Sequence, residues 1–197
     1  MSIDVQGTVA PGFESVRTEF AAVVAADNSE SGAQPAAFVH GTPVVDLWAG
    51  PQVTGDTLTG LLSATKGAAT VVVALLVQEG RLKLDQPVAA YWPEFAEGGK
   101  AGITLRQFTT IQTDGRDLVR GDHTPYSVGF EAKGLIYPFL GAQAFGHTGA
   151  AGSDGFADPH TGLSYGYTRR RAAFGFQAGE NERLAAVLHR AVRNLSR

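Results

Sequence analysis

Ser63 and Lys66 stand three residues apart in "GLLSATKGAATVVVALLVQEG" (60–80), where a polar turn gives way to a long apolar run. On a helix, residues at i and i+3 share a face, so this spacing sets a hydroxyl beside an amine at the helix start. A serine hydroxyl is a weak nucleophile until a neighbouring base takes its proton, and a desolvated lysine can be that base. The helix N-terminus adds partial positive charge where an oxyanion would develop. The same four letters also describe an ordinary capped helix start, so the chemistry needs a second element. "FGHTGAAGSDGFADP" (145–159) offers one. His147, Thr148 and Gly149 on a strand would let a substrate lie along its edge, with the Ala150 N–H free to donate. The Ser63 N–H would complete an oxyanion hole. A glycine-rich β-turn explains that segment as well.

The elements that must position these groups follow from periodicity. Phe13, Val16, Phe20, Val23 and Val24 recur at helical spacing and predict an amphipathic helix over 12–26. Ala36 to His40 and Pro43 to Trp48, joined at Gly41-Thr42, predict a hairpin. The run from Ser63 to Gln78 is apolar almost all round, which predicts a buried helix, with Gly80 as its C-cap. Thr104 is the expected N-cap of a further short helix. Residues 112–125 are polar, charged and glycine-bearing, and read as a connector. Strands are expected at 126–131, 144–148, 152–157 and 163–169, and a helix over 180–195. The order implies an α+β fold in a single domain over 1–197: an antiparallel sheet flanked by N- and C-terminal helices, with a buried Ser-x-x-Lys helix.

Composition narrows the partners. The chain of 197 residues is 44% hydrophobic and carries a net charge of -3, which gives no electrostatic reason to hold nucleic acid. Without cysteine there is neither a disulfide framework nor a thiolate site. His40, His123, His147, His160 and His189 lack metal-ligand spacing, so no metal is expected. Asp154 and Asp158 read as turn residues, Arg169 to Arg171 as a solvated guard of a strand end, and Trp48 and Trp92 as packing anchors, Trp92 near a cleft rim. No apolar run reaches the ~20 residues of a membrane span and the first residues do not read as a signal peptide, so a cytoplasmic protein off the membrane is expected.

"GTPVVDLWAG", "DTLTGLLSATKGAATVVVALLVQEGRLKLDQPVAAYWPEFAEGGKAGITLRQF" and "AFGHTGAAGSDGFADPHTGLSYGY" together resemble the serine β-lactamase and penicillin-binding-protein family, most closely its class C-related esterases and D-Ala carboxypeptidases. The resemblance implies Ser63 as acylated nucleophile and Lys66 as its proton partner. It makes His147-Thr148-Gly149 the counterpart of a Lys-Thr-Gly strand motif. The implied substrate is a small ester or amide, with no cofactor. The chain departs from the family in lacking the central helical region and its catalytic tyrosine. Tyr126 resembles the strand after that region and does not take the role. Loss of a general acid/base partner costs about 10²–10⁴-fold, so weak catalysis is expected. The alternative is an inactive homologue serving as a binding or scaffold module. The missing helices should uncover apolar surface beside the Ser63 helix, which favours a homo-oligomer.

Overall fold

A computed structural model describes residues 3–27, 32–109, 126–127, 129–169 and 179–195. The first half holds β1 (Val5–Val9), α1 (Glu14–Ala26), β2 (Ala33–Val39), β3 (Thr42–Ala49), a 3-10 turn (Leu62–Ala64), α2 (Thr65–Gln78) and α3 (Leu105–Thr109). Then come β4 (Tyr126–Ser127), β5 (Phe130–Ala132), α4 (Lys133–Ile136), β6 (Phe145–Thr148), β7 (Asp154–Asp158), β8 (Leu163–Arg169) and α5 (Gly179–Leu195). They form two compact units: Met1–Thr65 with Lys133–Arg197, and Lys66–Ala132. The expected 112–125 connector falls outside the described residues.

The first unit is an antiparallel sheet in the order β1-β3-β2-β8-β7-β6. The β2–β3 hairpin closes through His40 and Gly41, both at positive φ (49° and 79°), the backbone a two-residue primed turn requires. Along β8, Leu163, Tyr165, Tyr167 and Arg169 alternate inward, as the two-residue strand period dictates. The stripes of α1 (Val16, Phe20, Val23, Val24) and α5 (Leu184, Leu188, Val192) are buried in one core with Val45, Leu47 and Phe156 of the sheet. The helices from the two ends of the sequence therefore cover the sheet as expected.

Several expectations need correction here. β1 has no counterpart in the periodicity reading, because Gly7 interrupts its short alternation. Gly7 sits at φ +97°, and a Cβ there would collide with the Asp46 carbonyl of β3. Arg169 is not solvated: it is 6% exposed and ion-pairs with Asp27 after α1 and Glu180 in α5. Its neighbours 170–171 lie outside the described residues. Asp158 does organise a turn, accepting from Gly141 N–H, His160 N–H and the Thr161 hydroxyl. Asp154 is instead a buried strand residue.

In the second unit, α2 ends in a Schellman cap. Gly80, at φ +73°, donates to the Val77 carbonyl (3.0 Å), and Arg81 donates to that of Leu76 (2.9 Å). α3 opens with a reciprocal capping box: Gln107 N–H donates to Thr104 Oγ1 (3.2 Å), and Thr104 N–H to Gln107 Oε1 (2.9 Å). The strand expected over 126–131 is a small hairpin, β4 paired with β5. The helix over 63–78 exists but is not buried. No residue of α2 is buried, and Val71, Val72 and Leu75 are 58%, 56% and 50% exposed. An all-round apolar helix calls for cover on every side, and the described residues do not supply it. Trp92 is likewise no interior anchor; it is 56% exposed and leans on Phe95. Among the described residues no helix is long and apolar enough to cross a membrane.

Candidate active site

Ser63 lies in the 3-10 turn that leads into α2, not in the α-helix itself. Leu62 before it has φ +49°, a left-handed conformation unusual for a leucine. Ser63 is half-buried, while Leu61 and Leu62 are exposed. Lys66 opens the second unit on the first turn of α2; it is exposed, and its carbonyl accepts from the Thr70 hydroxyl (2.9 Å).

β6 carries the second motif. His147 is buried, with Nδ1 2.7 Å from the Thr148 carbonyl; a carbonyl only accepts, so Nδ1 bears the proton of that contact. Thr148 is half-buried and pairs across the sheet with Asp154. The chain then reverses over Gly149 to Gly152: Gly152 N–H donates to the Gly149 carbonyl (2.9 Å), and Gly149 N–H to that of Ser153 (2.8 Å). Ala150, at the exposed tip, keeps its N–H out of the backbone hydrogen bonds of the described residues.

A hydrogen bond from Ser153 joins the two segments. The Ser153 hydroxyl, 3% exposed, donates to the Leu61 carbonyl (2.7 Å). A side chain at Gly149 would collide with that carbonyl and with Ser153 Oγ, so glycine is what lets the strand end meet the Ser63 turn. The Ser63 turn and the Thr148–Ala150 reversal thus lie together within the first unit.

Three buried groups hold the reversal from behind. Lys133 Nζ donates to Asp154 Oδ1 (2.6 Å) and the Tyr137 hydroxyl to Asp154 Oδ2 (2.8 Å), with Lys133 and Asp154 both 0% exposed. Asn181, at the start of α5, donates to the Gly152 carbonyl (2.9 Å) and accepts from the Tyr165 hydroxyl (3.0 Å). Burial, with Tyr167 next in effect, pushes the Tyr165 phenol well above its ordinary value, so it stays a neutral donor. Sequence reasoning missed these supports. A lone lysine within "GFEAKGLIYPF" was a usable signal, since a charge in an apolar run is buried only with a partner; Ser153 gave none. Tyr126 donates to Glu131 (3.3 Å), a local contact of β4 and β5.

The family model described as Beta-lactamase matches residues 19–127, more than half of the chain. The protein named esterase/β-lactamase LipL, from Mycobacterium tuberculosis, is 35% identical over 107 residues, 51% of this chain and 25% of LipL. The chain thus spans about a quarter of the length of that relative. Among solved structures, EstA from Arthrobacter nitroguajacolicus superposes with a TM-score of 0.85 at 19% identity, covering 100% of each chain. A penicillin-binding protein homologue from Caulobacter crescentus gives 0.85 at 20%, covering 95% of this chain and 100% of its own. A family VIII carboxylesterase gives 0.85 at 19%, covering 96% and 100%. At these identities the superpositions establish the fold, and the family match over 19–127 makes the chain a member of the β-lactamase family.

Proposed function

We propose that the protein is a serine hydrolase acting on small esters or amides through an acyl-Ser63 intermediate. Supporting this is the juncture of the Ser63 turn with the Thr148–Ala150 reversal, where the exposed Ala150 makes no backbone N–H hydrogen bond among the described residues. The name of LipL and that of the carboxylesterase point to the same chemistry.

In this reading Ser63 Oγ attacks the substrate carbonyl carbon while its proton passes to Lys66 Nζ, placed one helical turn on by sequence spacing. The oxyanion accepts from the Ser63 and Ala150 N–H groups. Collapse breaks the bond to the alkoxide or amine, which leaves with the proton held by Lys66. Water then adds to the acyl-serine, Lys66 takes and returns its proton, and the acid departs from Ser63. The substrate lies against the His147–Thr148–Gly149 end of β6, with buried His147 shaping the strand and Thr148 offering its hydroxyl. Without the family tyrosine, proton transfer rests on Lys66 alone, and deacylation is the slow step.

A fluorophosphonate probe and p-nitrophenyl acetate test this directly. The wild type should become labelled and release p-nitrophenolate in a burst, and Ser63→Ala should do neither. Labelling that persists in Ser63→Ala removes Ser63 from the mechanism. A wild type that is never labelled favours the competing reading, a binding module on the same fold.

A further inference from the structure

We infer that Ser153 is a positioning residue for the Ser63 turn: its buried hydroxyl fixes where the nucleophile stands relative to the Ala150 N–H. The kinetic part of this inference rests on the hydrolase reading above; the structural part does not.

Packing covers the Ser63 turn only in part. None of its three residues is buried, and Leu61 and Leu62 are 40% and 55% exposed. Leu62 is moreover held at φ +49°, a conformation that persists only where surrounding contacts over-determine it. Ser153 supplies such a contact, a 2.7 Å hydrogen bond from a residue that is itself 3% exposed. A buried donor has no water to fall back on, so it keeps its protein acceptor. The position passed to the turn is well defined because the hairpin behind Ser153 is rigid. Asp154, the next residue, is held at both carboxylate oxygens by Lys133 and Tyr137, and the Gly152 carbonyl on the other side is held by Asn181. Gly149 leaves room for the contact, since any Cβ there would enter the space of both its partners.

The geometry also bars Ser153 from being the nucleophile. Its oxygen is out of reach of solvent, and its proton is committed to an amide carbonyl, far too weak a base to activate it.

The test uses the full chain with Ser153→Ala, Ser153→Cys as a near-isosteric weak donor, and Ser153→Thr as the conservative rescue. Amide hydrogen exchange is followed over residues 61–65, alongside fluorophosphonate labelling of Ser63. Ser153→Ala and Ser153→Cys should speed exchange in that segment and slow labelling roughly 10- to 100-fold, the scale of a misplaced reacting group. For p-nitrophenyl acetate, kcat should fall with KM little changed, and Ser153→Thr should recover most of it. A purely structural role would move labelling only in step with Tm. Unchanged exchange over 61–65 in a folded Ser153→Cys protein overturns the inference. Should the wild type never be labelled, the hydrolase reading fails on its own, and exchange still decides the role of Ser153.

Discussion

Lys133 places an ammonium group where no water reaches it, and Asp154 and Tyr137 are what make that tolerable. Two charges removed from water together need close geometry and further hydrogen bonds, and the 2.6 Å contact with the phenol on the second oxygen provides both. Removing one partner strands the other. Lys133→Met should therefore destabilise the fold by about 3–5 kcal/mol, and the Lys133→Met/Asp154→Leu double variant by clearly less; urea denaturation with equal m-values checks the difference. If the double variant costs the sum of Lys133→Met and Asp154→Leu made singly, the pair is not coupled. Reading Asp154 as a turn residue failed because a carboxylate beside glycines looks alike in sequence whether it caps a turn or neutralises a lysine 21 residues away. Asp158, four residues on, also accepts from Gly141 N–H, but its contacts with His160 and Thr161 lie within its own loop, and those made its turn role legible.

At the scale of elements, legibility followed locality. The hairpin turn, the Gly80 cap and the Thr104 cap each depend on residues a few positions apart; the two caps stand as the sequence implied, and the turn falls one residue earlier, at His40-Gly41 instead of Gly41-Thr42. β1 depends on β3, some forty residues away, and its central glycine, needed for close approach to Asp46, erases the alternation that would announce it. The Ser-x-x-Lys helix shows the limit from the other side. Its type and length were legible, whereas its burial is a property of neighbours and not of its own letters. The cap can be tested alone: nothing lies within 4 Å of a Cβ at Gly80, so Gly80→Ala meets only the left-handed backbone cost. It should cost about 1 kcal/mol, seen as a lower thermal midpoint, while Ser63 labelling stays unchanged.

For the molecule as a whole, the resemblance to the β-lactamase family was readable from three segments, and the expectation of uncovered apolar surface agrees with the exposure of Val71, Val72 and Leu75. We propose that a second copy covers this surface. Apparent mass in size-exclusion chromatography should then rise with concentration, and Val72→Glu with Leu75→Glu should hold it at the monomer value; a wild type monomeric at every concentration rejects this. Arg169 has a different consequence. It clasps Asp27 and Glu180, and α1 and α5 share one core, yet the two helices are separated by more than a hundred residues of chain. During synthesis Phe20 and Val24 must wait until Leu184 and Leu188 have left the ribosome. The nascent protein is thus committed to long-range closure, a slow route that leaves the apolar stripe of its first helix uncovered until α5 is made.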